Sequence, residues 1–307
     1  MPAAASRTAV RKGPAACSGC SLCLLVCPVW RESRDPRLSP EGRAKALQHG
    51  APAGELAASA KACRLCGACE PVCPERIDLI GMTLDLRARL ADTEDVAATQ
   101  ARMKELAACA RPPAHATTVF LPGPALRARP DRMEKIASLL GATACADGGE
   151  DIAHAVASGI GVPGERLRSF LAHLRGAQSI IVEDGLWMRH LRAWLPGMRL
   201  ASLGEALGRL DSVRRGLRRT DLYVIEPRAY HGDYERLVRY YDRLGAERGC
   251  TFNLDLQRIA IPAAGQADWI LKGRTVERIV VERQDDAEPF VALGRYPVVH
   301  LADLADH

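Results

Sequence analysis

Long apolar segments are missing from this sequence, and this bears on where the protein resides. No apolar run approaches the roughly 18 residues that a membrane-spanning helix needs, and the opening residues MPAAASRTAVRKGPAAC lack the apolar stretch of a secretory signal. We therefore expect a cytoplasmic protein without a transmembrane segment. The net charge of +5 is small for 307 residues. Charge alone thus gives no reason to expect a nucleic-acid partner, and we expect none.

Nucleotide-binding loops and adjacent cysteines are also absent. No Gly-x-Gly-x-x-Gly follows a strand-like segment, and LPGP at position 121 lacks the Lys-Ser/Thr of a phosphate loop. A flavin or nicotinamide is therefore expected on a partner chain. None of the 11 cysteines is next to another in the sequence. Thiols in a reducing compartment rarely form disulfides, so metal binding is the leading interpretation of these cysteines.

Eight of the cysteines form two copies of one motif. CSGCSLCLLVCP begins at Cys17, CRLCGACEPVCP begins at Cys63, and both have the spacing C-x2-C-x2-C-x3-C-P. Thiolates three residues apart on a tight turn can point at one small centre while backbone N–H groups point at its sulfides. The fourth cysteine is set off by an extra residue and followed by proline, so it suits a neighbouring cluster better than its own. The pattern predicts two 4Fe-4S clusters.

The spacing resembles the bacterial two-cluster ferredoxin motif, in which the fourth cysteine binds the other cluster. Zinc is the alternative, but four-cysteine zinc sites usually consist of two separated C-x2-C pairs without a third cysteine between them. The resemblance implies that one cluster is bound by Cys17, Cys20, Cys23 and Cys73, and the other by Cys63, Cys66, Cys69 and Cys27.

The segments around the motifs have a helical pattern. From Ser39 to Ala62 the chain has helical character, and Ser-Pro-Glu supplies a cap with proline in the first turn. Residues Ile77 to Ala108 are again rich in Ala, Leu, Arg and Glu at helical spacing. A cluster module embedded in helices resembles the α-helical ferredoxin module found in iron-sulfur subunits of succinate dehydrogenase and of heterodisulfide reductase.

The rest of the chain contains an apparent internal repeat with an offset near one hundred residues. Each half alternates short Val/Ile/Leu strands with helices, which is typical of parallel α/β layering. We therefore predict an α-helical ferredoxin domain over residues 1–110, a first α/β lobe over 111–210 and a pseudo-symmetric second lobe over 211–307. The repeat pairs VFLPG at 119 with VIEPR at 224, LLGATAC at 139 with RLGAERGC at 243, IAHAVASG at 152 with IAIPAAG at 259, IIVED at 180 with IVVER at 279, and ASLGEAL at 201 with VHLADL at 299.

As a whole, the chain resembles the iron-sulfur subunits of anaerobic glycerol-3-phosphate dehydrogenase, glycolate oxidase and lactate-utilisation enzymes, together with heterodisulfide reductase. In that family a two-cluster ferredoxin precedes two repeats, each of which normally carries a Cys-Cys-Gly motif. At the corresponding positions this sequence has Ile152-Ala153 and Ile259-Ala260. The family's chemistry on a disulfide or quinone therefore does not transfer, and the lobes are expected to be degenerate repeats that serve as a docking scaffold.

The motifs and the resemblance imply an electron-transfer subunit of an oxidoreductase complex. Its clusters would pass single electrons between a partner flavoprotein dehydrogenase and a downstream acceptor within a hetero-oligomer. Two alternatives to this interpretation remain open. In the first, the chain is a catalytic subunit that reduces a heterodisulfide or quinone at the lobe interface. In the second, it is an interaction protein whose clusters are only structural.

The remaining chemistry-bearing residues have simpler interpretations. Cys109, Cys145 and Cys250 are expected to be small buried hydrophobes, the last two at matched positions of the repeat. His231, with Asp233 two residues on, lies near the position that a His-Asp-Pro-Cys segment occupies in the family. A lone histidine in such a loop is more often a cap or a surface residue than a ligand. Lys and Arg outnumber Asp and Glu in the first fifty residues, which is expected to make the first cluster easier to reduce.

Overall fold

The N-terminal part of the chain is helical. The computed structural model describes residues 11–91, 93–108 and 116–306. Short 3-10 turns lie at Pro14–Ala16, Pro36–Leu38 and Ala53–Leu56. The helices of this part are α1 (Leu22–Val26), α2 (Pro28–Ser33), α3 (Pro40–Gln48), α4 (Ala57–Ala62), α5 (Leu79–Leu90) and α6 (Thr93–Ala108).

The predicted helix over residues 39–62 is divided into two. Its start is as expected, because the buried Ser39 hydroxyl accepts a hydrogen bond from the Gly42 N–H at 3.0 Å and Pro40 occupies the first turn. The chain leaves the helix after Gln48, where Gly50 adopts a φ of +82° and Pro52 follows two residues later. A left-handed glycine followed by proline is a typical end of a helix.

Two parallel four-stranded sheets follow, as the alternation of short strands and helices predicts. The first sheet has the order β2-β1-β3-β4 and the second has the order β6-β5-β7-β8. The strands are β1 (Thr118–Leu121), β2 (Thr143–Ala144), β3 (Ser179–Val182), β4 (Arg199–Ser202), β5 (Asp221–Val224), β6 (Thr251–Phe252), β7 (Arg278–Val281) and β8 (Val298–His300).

Helices surround both sheets, as parallel sheets require for their burial. Two further 3-10 segments lie at Gln284–Ala287 and Leu301–Asp306. The helices of this part are α7 (Pro124–Arg127), α8 (Pro130–Leu140), α9 (Glu150–Ser158), α10 (Gly164–Arg175), α11 (Leu186–Trp194), α12 (Leu203–Gly208), α13 (Asp211–Arg215), α14 (Pro227–Gly232), α15 (Tyr234–Arg248), α16 (Ala267–Leu271) and α17 (Glu288–Leu293).

One layer of the core connects the two sheets. Alternate strand residues face it, with Phe120 and Ile181 from the first sheet and Tyr223 and Val280 from the second in one buried cluster. The intervening strand residues pack into separate clusters on the outer faces. The sheets therefore share a core, and the helical part packs against them through contacts described below.

Only part of the sequence repeat coincides with the structure. Cys145 follows β2 and its N–H donates to Phe120 O, whereas the residue that makes the same contact after β6 is Asn253, whose N–H donates to Tyr223 O. The pairing of Cys145 with Cys250 is therefore wrong in register, although both thiols are buried as expected. Cys109 lies outside the described residues.

The pairing of the two Ile-Ala dipeptides also fails. Ile152 and Ala153 lie in α9, whereas Ile259 and Ala260 lie in a loop whose Ala260 forms an isolated bridge with Leu254. The two segments have similar sequences, but one is helical and the other is extended. The matching strand order of the sheets is compatible with a repeat, and the repeat and the domain boundaries at 110 and 210 stay predictions.

Candidate iron-sulfur site

The eight motif cysteines line two separate cavities. We call them the first cysteine site, lined by Cys17, Cys20, Cys23 and Cys73, and the second cysteine site, lined by Cys27, Cys63, Cys66 and Cys69. Each cavity has about 330 Å³ of space that protein atoms do not fill, space open to solvent included. Each site thus groups three cysteines of one motif with the last cysteine of the other, which is the grouping that the crossed ligand sets require.

The backbone of the two cysteine loops has the same irregular conformation. Residues three and five of each motif have positive φ: Gly19 (+77°) and Ser21 (+60°) in the first, Leu65 (+52°) and Gly67 (+76°) in the second. Alternating right- and left-handed residues turn successive N–H groups towards one concave side, an arrangement found at many iron-sulfur sites. Leu65 has no glycine-like freedom, so the surrounding structure must hold it there.

The two sites differ in exposure. Cys20 of the first site is exposed, and Leu22 and Leu25 in the same motif are 39% and 49% exposed. At the second site, Cys27 and Cys69 are buried. The first site therefore lies at the surface, and the second lies deeper in the protein.

Burial disfavours ionisation of the free thiols. Desolvation is the main cause that raises the pKa of Cys23 and of Cys66 to about 12 each, and it also raises the pKa of Cys27 and Cys69. These thiols would stay protonated at neutral pH unless a cation replaces their protons, as iron does on ligation. The donor set therefore fits a metal cluster.

The arrangement is not that of a single metal ion. In the described ranges, no group of three or more His, Cys, Asp or Glu side chains is placed to hold one ion. The thiolates of a 4Fe-4S cluster bind four different iron atoms at the corners of a cube, so they lie farther apart than the ligands of one zinc ion.

Helix α3 borders both cavities with opposite charges. Glu41 lines the first site, where one of its carboxylate oxygens is buried without a hydrogen-bond donor. Arg43, 1% exposed, lines the second site, where its Nε is buried without an acceptor. A buried cation with an unused donor fits an anionic cluster in the second cavity.

This charge distribution corrects the expectation drawn from the first fifty residues. Their basic excess does not converge on the first site, which is lined by Glu41 and Glu75. Lys45 donates to Cys17 O at 2.8 Å, and Lys12 is paired with Glu75 at 3.1 Å, so these bases offset rather than outnumber the acids. The unpaired buried cation from this segment, Arg43, is turned to the other site by the helical spacing of α3.

His231 joins the sheet region to the second cysteine loop. It is 3% exposed, its Nδ1 is 2.7 Å from Cys66 O, and Ala260 N–H donates to its Nε2 at 3.1 Å. Because Nε2 accepts, Nδ1 carries the proton and donates to the carbonyl oxygen. Burial lowers the pKa of His231 to about 4, so the ring is neutral. The expectation of a cap or surface residue is wrong, because α14 directs this side chain inward.

Two arginines add further contacts around the second site. Arg228 donates to Arg64 O at 3.2 Å and is paired with Asp184 at 2.8 Å. Arg87 donates to Cys63 O at 2.6 Å and to Ala60 O at 3.0 Å. These guanidinium groups fix the carbonyl oxygens of the second cysteine loop and bring positive charge close to it.

Glutamates occupy the carboxyl ends of the central strands, where open α/β sheets commonly bind ligands. Gly123 and Gln284 donate backbone N–H groups to Glu183, and Glu226 N–H donates to Glu282 at 2.8 Å. Burial raises the pKa of Glu226 to about 8 and that of Glu282 to about 7. Their oxygens are thus already engaged in hydrogen bonds within the fold.

Comparison with known proteins agrees with the cysteine geometry. Residues 14–77 match the family model described as a 4Fe-4S dicluster domain. No curated protein and no solved structure matches the chain. The N-terminal part therefore contains a 4Fe-4S ferredoxin-like domain, and the match supports 4Fe-4S clusters and iron-sulfur electron transfer.

Sequence analysis missed the residues that surround the cysteines. The charged residues Glu41 and Arg43 had a detectable signal, since they lie on a helix that the pattern placed between the two motifs. Arg87 and His231 had none, because their neighbours at the second site are distant in the sequence.

Among the described helices, none has both the length and the apolar character needed to cross a bilayer.

Proposed function

We propose that the chain is a two-cluster electron-transfer subunit of an oxidoreductase complex. The observation that carries the proposal is the sorting of eight cysteines into two cavities of four, each with three cysteines of one motif and one of the other. In the proposed assignment, Cys17, Cys20, Cys23 and Cys73 hold one 4Fe-4S cluster and Cys27, Cys63, Cys66 and Cys69 hold the second. When bound, the clusters supply one-electron chemistry, while the protein fixes their position and environment.

We also propose a family for the chain. The helical module and the two parallel sheets support a relationship with the iron-sulfur subunits of heterodisulfide reductase, anaerobic glycerol-3-phosphate dehydrogenase and glycolate oxidase type. The surface position of Cys20 supports exchange of electrons with another protein at the first site. The partner would be a flavoprotein dehydrogenase or another redox subunit in a hetero-oligomer.

The sheet region serves as a scaffold in this proposal. The glutamates at the carboxyl ends of the strands already accept hydrogen bonds from backbone N–H groups, and Ile152 and Ile259 are buried packing residues. Neither feature supplies a thiol for disulfide chemistry. These observations favour electron transfer over the alternative, reduction of a disulfide or quinone between the lobes.

Reversible reduction of the isolated protein tests the proposal. Anaerobically prepared protein should take up one electron per cluster from a low-potential reductant and return it to a one-electron acceptor without loss of iron. It should not reduce a disulfide or a quinone catalytically. Clusters that break down on reduction would indicate a structural role, and steady turnover by the chain alone would indicate the catalytic alternative.

A further inference from the structure

Arg43 is an uncompensated charge at the second cysteine site. Its guanidinium donates to Leu38 O at 3.1 Å, to Ser59 O at 3.0 Å and to the Ser59 hydroxyl at 3.1 Å, all of which are neutral oxygens. No carboxylate forms an ion pair with it in the part of the chain that the structure describes. An arginine keeps its charge even when buried, so a full positive charge borders this cavity.

Other charges near the second site are largely balanced. Arg64 is ion-paired with Glu32, and Glu70, next to Cys69, is paired with Arg11 and Arg189. Arg228 is paired with Asp184. The net charge around the second cavity is therefore positive, and it comes from Arg43, which lines the cavity, and from Arg87, which donates to Cys63 O and has no carboxylate partner among the described side chains.

The first cysteine site has the opposite local field. Glu41 faces this cavity with one buried oxygen that has no donor, and no ion pair with a base is found for it among the described side chains. Glu75, the other acid at this cavity, is paired with Lys12. The two residues that give the sites opposite local charge, Glu41 and Arg43, lie two positions apart on helix α3.

We propose that Arg43 gives the second cysteine site the higher reduction potential, so that an electron received at the first site moves to the second. A 4Fe-4S cluster held by four thiolates is an anion that gains one negative charge on reduction. Arg43 stabilises that added charge, and Glu41 opposes it at the first site. The first site loses one electron, the second gains it, no bond forms or breaks and no proton moves. This inference rests on the proposed two-cluster function.

Solvent acts against this order of potentials. Water reaches the exposed first site and stabilises added negative charge there. The interaction of a charge with a cluster is much stronger in a dry, low-dielectric cavity than across water. Because Arg43 is almost fully buried and lines the cavity directly, water screens its charge little, and we expect its effect on the potential to exceed that of solvent at the first site.

The test is a redox titration of the fully loaded protein, followed by electron paramagnetic resonance. Each signal is assigned with a ligand variant, Cys63→Ser for the second site and Cys17→Ser for the first. We expect the signal of the second site to appear at the higher potential. Arg43→Gln should lower the midpoint potential of that signal only, whereas Arg43→Lys, which keeps the charge, should leave it close to the wild-type value.

Glu41→Gln is the matched variant at the other cavity, and it should raise the midpoint potential of the first signal only. If the first site is reduced at the higher potential in the wild type, or if Arg43→Gln and Arg43→Lys shift the second signal equally, the inference is wrong. If Arg43→Gln protein does not bind the second cluster, two other results test the inference. The second signal must have the higher midpoint potential in the wild type, and Glu41→Gln must raise the midpoint potential of the first signal. Protein without iron and sulfide would instead contradict the proposed function itself.

Discussion

At the scale of single residues, the second cysteine loop depends on a close contact with the sheet region. Gly67 has a φ of +76°, and a Cβ built on it would lie 3.1 Å from the Cβ of His231. His231 in turn is fixed by Cys66 O and Ala260 N–H. A side chain at Gly67 would therefore require the loop, or the histidine that positions it, to move by a few tenths of an ångström.

Gly67→Ala should disturb the second cluster and spare the first. Gly50→Ala is the matched control, because Gly50 has a similar φ of +82° but nothing within 4 Å of the added Cβ. Both substitutions introduce backbone strain of about 1 kcal/mol or more. Only Gly67→Ala should also lower the iron content, by up to half, in anaerobic metal analysis. Equal iron content in the two variants would contradict the role of this contact.

Buried histidines should also make stability depend on pH. His300 is 2% exposed, Ala302 N–H donates to its Nδ1, and its Nε2–H donates to Glu282 O. Burial, with a smaller effect from Arg132, lowers its pKa from 6.5 to about 4. As the pH falls through 6.5, His300 becomes protonated in the unfolded state, whereas in the folded state it becomes protonated only near pH 4. Acid therefore favours unfolding over this window.

The expected loss from His300 is up to about 3 kcal/mol of unfolding free energy between pH 6.5 and 4. The variant His300→Gln should have a flatter pH dependence in this window than the wild type, even if it is less stable at pH 7. Denaturant midpoints measured at several pH values provide the check, with the exposed His49→Gln as control. Parallel curves for wild type and His300→Gln would show that His300 is not the group responsible.

At the scale of secondary-structure elements, helix α3 is the central part of the candidate site. It lies between the cavities and carries Glu41 towards one and Arg43 towards the other. Its start is fixed by Ser39, whose hydroxyl accepts from Gly42 N–H at 3.0 Å and donates to Pro36 O at 2.6 Å. A change in this cap would therefore affect the position of both charged residues.

Ser39→Ala should lower the free energy of unfolding by about 1–2 kcal/mol, because it removes a helix cap and leaves buried backbone groups without partners. Ser138→Ala, at an exposed position inside α8, is the control and should change stability by less than about 0.5 kcal/mol. Denaturation of the two variants under identical anaerobic conditions gives the comparison. A loss no larger than that of the control would mean that the cap does not hold α3.

At the scale of the whole molecule, the cluster module and the sheets are held together by polar contacts. Arg189 in α11 forms ion pairs with Glu70 and Asp78, and Gln266 donates to Glu32 at 2.6 Å. With the His231 contact, these interactions place the second cysteine site against the sheet region and leave the first at the surface. In the proposed function, electrons enter at the exposed first site and the sheet region is the scaffold that holds the second.

The sequence predicts well what depends on short stretches of chain. The spacing of the cysteines is local and predicted a cluster-binding loop at each motif, while the grouping of cysteines across the two motifs was implied by the resemblance to two-cluster ferredoxins. Short Val/Ile runs predicted the parallel sheets. Sequence-based prediction failed where the answer depends on packing between distant segments. The side to which Arg43 points follows from how α3 docks between the two loops, and the surroundings of His231 follow from the docking of the sheets. The alignment of Ile152 with Ile259 as repeat positions was wrong because similar short sequences adopt different secondary structures in the two places.

The central claim is that each cluster is bound by three cysteines of one motif and the fourth cysteine of the other. The most direct test combines iron and sulfide analysis with spectroscopy of paired ligand variants. We expect about eight iron and eight sulfide per chain. Cys27→Ser should perturb the same signal as Cys63→Ser, and Cys73→Ser the same signal as Cys17→Ser. Stoichiometric zinc, or a Cys27→Ser variant that perturbs the signal of Cys17→Ser instead, would contradict the account.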